Sequence, residues 1–230
     1  MLKVILVSAT NFECLKTIDY LEKNFEQKSF TEFTTSTISI SPFVMGIGLA
    51  QSSFALGRHK NLKDYDLLIH IGISGAYQPE KYKLGDLIEI THERFADIGA
   101  EEKDGSLIDL FDLDFLPKNQ FPYNEKWISN PTKKWISKYP KAKGLTVSKA
   151  SGNVDTIAKL LPLNADVESM EGAALFYACR CIDIPFISLR AISNYVEPRN
   201  KDRWNVPLAL GNLNDALIQM IKNLNETQSL

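Results

Sequence analysis

Apolar residues along this chain fall into short runs that alternate between strand and helix spacing. "KVILVSA" at residues 3–9 is a β-branched run that breaks at Thr10 and Asn11, either of which can cap a helix. Leu15, Ile18, Leu21 and Phe25 then recur at helical spacing on one side, which predicts a βα unit. "TEFTTSTISISPFVMGIG" alternates β-branched and polar positions and closes on Gly46 and Gly48, ahead of a predicted helix over about residues 49–59. "DLLIHIGISGA" reads as a buried strand ending in a glycine turn, and "LGDLIEITHERFADIG" as another extended segment. Past residue 140 the order is a strand and turn in "GLTVSKASG", a helix in "NVDTIAKLL" and a strand in "ADVESM". A helix in "EGAALFYACRC", a strand in "IPFISLRAIS" and a closing helix in "VPLALGNLNDALIQMIKNL" follow. The alternation predicts one α/β domain over residues 1–230, a three-layer α/β/α sandwich with a mixed central sheet.

Residues 101–140 depart from the pattern. They read as a long excursion with one short helix, capped by Asn130 with Pro131 at its first position. Asp109, Asp112 and Asp114 stand close together there, but their spacing is that of no calcium loop. They are expected to form a solvated acidic loop, and no metal site is expected. With 26 basic and 28 acidic residues the chain has no field to draw nucleic acid or an anionic membrane, so a small, nearly neutral partner is expected. Cys179 and Cys181, two apart on a predicted helix, face different ways and are expected to be core thiols rather than metal ligands. Nothing approaches the roughly 20 apolar residues of a membrane helix, and the first apolar run leads into a strand rather than a signal-peptide cleavage site. The expected location is the cytoplasm.

In open α/β sheets ligands collect at the carboxyl ends of strands. Five such ends carry candidate residues: Glu13 after the first strand, residues 46–48 and 72–75 at the glycine turns, Met170 with Glu171, and Asn194. Arg190, Ser193 and Asn194 are polar positions at the tip of an otherwise apolar strand. Plainer alternatives exist for each: a first-turn acid favoured by the helix dipole for Glu13 and Glu171, simple tight turns for the glycines, a packing methionine for Met170, a local turn bond for Asn194.

"SATNFE", "GIG", "GISGA", "VESMEGAA" and "RAISN", in that order over nearly the whole length, resemble the nucleoside phosphorylase and nucleosidase superfamily. "MEGAA" followed about twenty residues later by "RAIS" is the specific part. Within the superfamily, "ISNYVEPRNKDRW" and "ADIGAE" resemble the futalosine hydrolases of menaquinone biosynthesis more closely than the methylthioadenosine and S-adenosylhomocysteine nucleosidases. The resemblance implies cleavage of an N-ribosidic bond without a cofactor, in a homo-oligomer. Glu13 matches the glutamate that activates water, although Asn11 and Phe12 replace acidic neighbours common in the methylthioadenosine enzymes. Glu171 matches the glutamate that accepts from the ribose 2′- and 3′-hydroxyls, and Met170 packs on the sugar. Gly46, Ile47, Gly48, Ser74 and Gly75 fall where sugar and base contacts are placed.

Two departures carry information. The phosphorylases present an arginine before the second glycine turn to hold phosphate, where this chain has His70, which favours water as the nucleophile. Enzymes acting on adenine nucleosides usually have aspartate where Asn194 stands. A carboxylate suits a 6-amino group, whereas an amide donates to the carbonyl of hypoxanthine. Arg199, Arg203 and Trp204 suit the carboxyphenyl arm of futalosine, with a polar loop paired to Glu197 and Asp202 as the alternative. Two other readings stay open: a methylthioadenosine or S-adenosylhomocysteine nucleosidase, and a non-catalytic nucleoside-binding protein on the same fold.

Overall fold

The computed structural model describes residues 1–135 and 137–227. The alternating runs become the expected sandwich. Strand β1 (Leu2–Ser8) leads through a 3-10 turn (Asn11–Glu13) into α1 (Leu15–Asn24), followed by β2 (Glu26–Ser29), β3 (Glu32–Thr34), β4 (Ile38–Val44) and α2 (Gly48–Arg58). β5 (Leu67–Ala76) and β6 (Leu87–Phe95) are long, and β7 (Gly99–Glu101) with β8 (Leu107–Asp109) form a separate hairpin. After β9 (Tyr123–Asn124) and β10 (Trp127–Ser129) come β11 (Lys141–Thr146), α3 (Val154–Leu160), β12 (Val167–Ser169), α4 (Gly172–Ile182), β13 (Phe186–Tyr195) and α5 (Val206–Thr227).

The sheet is mixed. β1 pairs in parallel with β4 and β5, while β5 also pairs in parallel with β13. β13 then runs antiparallel to β6, β6 parallel to β11, β11 parallel to β12, and β12 antiparallel to β5. Five strands therefore close on themselves, which removes their free edges. One apolar layer seats α1 and α5 on β1 and β5, through residues such as Leu21, Leu213 and Leu217. The opposite layer seats α2 and α4, through Leu56, Leu175 and Phe176. Leu15 is half exposed, so the buried stripe of α1 is narrower than its spacing suggests.

Four local expectations are corrected. Residues 130–131 start no helix; the Asn130 side chain donates to Phe186 O at 2.7 Å and accepts from Thr132 N at 2.9 Å, tying the excursion to β13. β5 does not turn at its glycines but continues through them to Ala76. Asp109 is buried rather than solvated, held by Arg94 and Lys126, which satisfy its charge. Cys179 is a core thiol as expected, whereas Cys181 is exposed. Among the described residues no helix is long and apolar enough to cross a membrane.

Candidate active site

A cavity of about 350 Å³ opens where β1, β5 and β13 end. Glu13, Ile47, Ser74, Gly75, Met170 and Glu171 line it, together with Asn194 and Trp204. Met170 and Glu171 arrive from the other direction, because β12 runs antiparallel to β5. Gly46, Gly48, Arg199 and Arg203 are not on its wall. Gly46, at φ +86°, makes the turn before α2, where a Cβ would meet Gln51 Oε1 at 2.6 Å.

Glu13 ends the short turn that follows β1. Its Oε2 accepts from Ala9 N at 2.8 Å and Thr10 N at 3.0 Å, leaving Oε1 for other partners. Burial pushes its carboxyl up, and the Arg190 guanidinium and those two amides pull it back. The turn is pinned from the far end of the chain, since Asn214 on α5 donates to Glu13 O at 3.0 Å while its own oxygen accepts from Thr17 N and Oγ1.

Glu171 caps α4, and its Oε1 accepts from Gly48 N, the first residue of α2, at 2.8 Å. Two helix N-termini thus face one carboxylate, a favourable field for its negative charge. Met170 Cε lies 3.9 Å from where a Cβ on Gly48 would stand, so the methionine closes the gap between the helices.

Arg190 was read as a strand-tip residue, but it is 1 % exposed and sits inside the closed ring of strands. Its Nη2 donates to His70 Nε2 at 2.9 Å. The Nδ1 proton of His70 then goes to Ser188 Oγ at 3.0 Å, and burial beside Arg190 keeps the ring neutral. His70 is thus a buried strand histidine with both ring nitrogens satisfied. Nη1 of Arg190 comes up against Gly72, where a Cβ would fall 1.8 Å from it and 2.9 Å from Glu13 Oε1. The acid and the guanidinium both border the space that Gly72 leaves open.

Glu93 escaped the sequence reading. It is 1 % exposed on β6, accepts from Thr146 Oγ1 at 2.9 Å, and lies so close to α4 that a Cβ on Gly172 would be 2.0 Å from its Oε1. Burial pushes its carboxyl up to about 7, Arg190 and Thr146 pull it down, and Glu171 pushes it up again. The sequence signal was weak: glycines at 144 and 172 that no turn requires.

Asn194 owes its aim to a bulge. The register of β13 on β5 slips between Ile192 and Asn194, so Ser193 is the extra residue and Asn194 pairs with Gly75. Ser193 Oγ donates to Asn194 Oδ1 at 2.8 Å, which fixes the amide, and Nδ2 donates to Tyr195 O at 3.1 Å. That is the local bond of the plainer reading, yet an amide nitrogen has two protons and the second remains for a ligand. In the tail, the exposed Arg203 pairs with the half-buried Glu197 at 2.7 Å, whereas the Arg199 guanidinium lies 5.3 Å over the Trp204 ring.

Two predictions follow from the buried charges. Gly72→Ala should drive a Cβ into the Arg190 guanidinium and cost about 1–3 kcal/mol, as overpacking does; unchanged thermal unfolding would show the packing there to be loose. Folded Glu93 keeps a proton that the unfolded chain, at 4.5, has released, so its contribution to stability is full below pH 4.5 and is lost as pH rises through about 7. Glu93→Gln should therefore be more stable than the parent at pH 8 by on the order of 3 kcal/mol and equal to it below pH 4.5. Urea unfolding across that range checks this, and a difference independent of pH would acquit Glu93.

Comparison with known proteins bears on the family and the fold. Futalosine hydrolase of Streptomyces coelicolor is 32 % identical over 160 residues, 67 % of this chain and 65 % of that protein, so the match spans just under two thirds of the relative's length. The solved futalosine hydrolase of Helicobacter pylori superposes with a TM-score of 0.77 at 16 % identity, covering 97 % of this chain and 98 % of that one. The methylthioadenosine/S-adenosylhomocysteine nucleosidase of Colwellia psychrerythraea, solved with adenine, gives 0.76 at 17 % identity over 97 % and 96 % of the two chains. At those identities the two structures attest the fold. Residues 3–224 match the phosphorylase superfamily, and the chain belongs to it.

Proposed function

We propose that this chain is a nucleoside hydrolase acting on futalosine, releasing hypoxanthine and dehypoxanthine futalosine for menaquinone biosynthesis. The observation that carries the reading is the placement of Glu13, Glu171 and Asn194 around one cavity of nucleoside size. As the N-ribosidic bond breaks, the sugar gains oxocarbenium character and the departing base gains negative charge. Glu171 accepts from the ribose hydroxyls and sets its charge beside the cationic ring. Glu13 Oε1 takes a proton from the attacking water, whose oxygen bonds to the anomeric carbon. Burial pushes the Glu13 carboxyl up, and the Arg190 guanidinium opposes that effect and favours the ionised base. Asn194 donates its second amide proton to O6 or N7 of the 6-oxopurine.

Arg190 donates to His70 and is not on the cavity wall, so its fork is not presented to a dianion, which supports water over phosphate. The 5′ arm lies toward Trp204, with Arg199 as the carboxylate partner, since Arg203 is already paired with Glu197. The reading extends to a cytoplasmic homo-oligomer, supported by the exposed Phe54 and Tyr177 on the adjoining helices α2 and α4.

Chromatography of products from futalosine, inosine and methylthioadenosine in parallel tests the assignment; release of adenine alone would overturn it in favour of the methylthioadenosine enzymes. Glu13→Gln should lower kcat about a hundredfold or more while substrate still binds. Asn194→Asp should lower kcat/KM for futalosine about tenfold or more and raise that of its 6-amino analogue relative to it, because a carboxylate would oppose two acceptors. An unchanged ratio would reduce Asn194 to a loop anchor. Arg199→Ala should raise KM for futalosine more than for inosine, with Arg203→Ala near the parent on both.

A further inference from the structure

Glu168 has no part in the chemistry above, yet it is 5 % exposed on the wall of the same cavity. It stands on β12 opposite Gly75 of β5, and Asn194 of β13 stands opposite the same glycine from the other side. Its carboxylate gathers three donors. Oε1 accepts from Ser151 N at 2.7 Å, and Oε2 accepts from Ser151 Oγ and Tyr77 Oη, each at 2.7 Å. Burial and the charge of Glu168 both push the Tyr77 hydroxyl up, so it stays a donor.

The residue so gripped lies in the loop after β11. That loop is held at its other end too, where Ser148 N and Oγ donate to Asp97 at 2.7 and 3.1 Å. Between the two grips Ala150 meets the cavity. Just beyond, Gly152 O accepts from Arg199 N at 3.1 Å, so the loop also carries the start of the tail that ends on Trp204.

We infer that Glu168 is a positioning residue, which holds the loop of residues 148–152 against the bound nucleoside and, through Gly152 and Arg199, sets the tail that closes on the 5′ arm. The inference rests on the nucleoside reading of the cavity. A loop ordered before binding spares the ligand the entropy of ordering it, so the effect falls on binding rather than on bond cleavage. Without an acceptor at 168 the buried Ser151 N–H has no partner and the loop must open to water to satisfy it.

The test compares two substitutions. Glu168→Met removes every acceptor, and KM should rise about tenfold with kcat within about threefold of the parent, the scale of one lost charged hydrogen bond. The rise should be larger for futalosine than for inosine, because the tail follows the loop. Glu168→Gln should restore most of the loss, since its oxygen still accepts from Ser151 N while both hydroxyls rotate to accept from its NH2. A purely structural role would lower the folded fraction and leave KM alone. If Glu168→Gln is as poor as Glu168→Met and kcat collapses in both, the charge acts on the reaction and the inference fails. It also fails if both variants match the parent.

Hydrogen exchange of the free protein gives a reading independent of activity and of substrate identity. Glu168→Met, or the milder pair Ser151→Ala and Tyr77→Phe should the first not fold, should speed exchange in 148–152 while β5 and β13 stay protected. Unchanged exchange in that loop would overturn the tie even if futalosine is hydrolysed. Faster exchange in a protein that cleaves no nucleoside would uphold the tie and reject the function.

Discussion

The site is organised by one buried guanidinium. Arg190 stands inside a closed ring of strands with Glu13 and Glu93 near it and Glu171 beyond, and its direct partner is a neutral histidine. Three carboxylates share one permanent cation in a place where water is scarce. Each acid is therefore short of positive charge, and burial pushes both Glu13 and Glu93 up despite Arg190. On the proposed function, a sugar turning cationic in the cavity would supply what the cluster lacks, at the moment the bond breaks. Such a fixed field stabilises charge development without reorganising during the reaction.

That arrangement dictates where side chains must be missing. Arg190 and Glu13 both close on Gly72 because it has no Cβ, and Glu93 lies against the α4 terminus because Gly172 has none. The bulge at Ser193 has the same purpose in backbone form. A regular β13 would place Ser193 opposite Gly75, whereas the slip delivers Asn194 there.

The sequence revealed much of this and concealed the rest for identifiable reasons. Strands with continuous apolar runs and helices with clear stripes were legible because their periods differ. Glu13, Glu171 and Asn194 were legible because they sit at ends, where polar residues after apolar runs stand out. Glu93 and Arg190 were not: both lie within strands, and an alternating polar position reads as solvent-facing until the sheet closes on itself. Asp109 was misread as solvated because its partners Arg94 and Lys126 come from positions 15 and 17 residues away on opposite sides. Asn130 followed by Pro131 reads equally as a helix start or an anchored turn, and the distant Phe186 carbonyl decided for the turn.

Glu13 also depends on the last helix, a link that spacing along the chain conceals. The turn holding it is only three residues long and has little stability of its own. Asn214, 201 positions later, fills the deficit by binding the Glu13 carbonyl and the Thr17 amide at once. The same helix presents Val206 and Leu210 to the cavity. Whatever settles against those two residues presses on the element that fixes the proposed base, so substrate seating and base alignment share one rigid body. The turn that carries Glu13 can therefore be short because its order is borrowed from a 22-residue helix packed across the sheet.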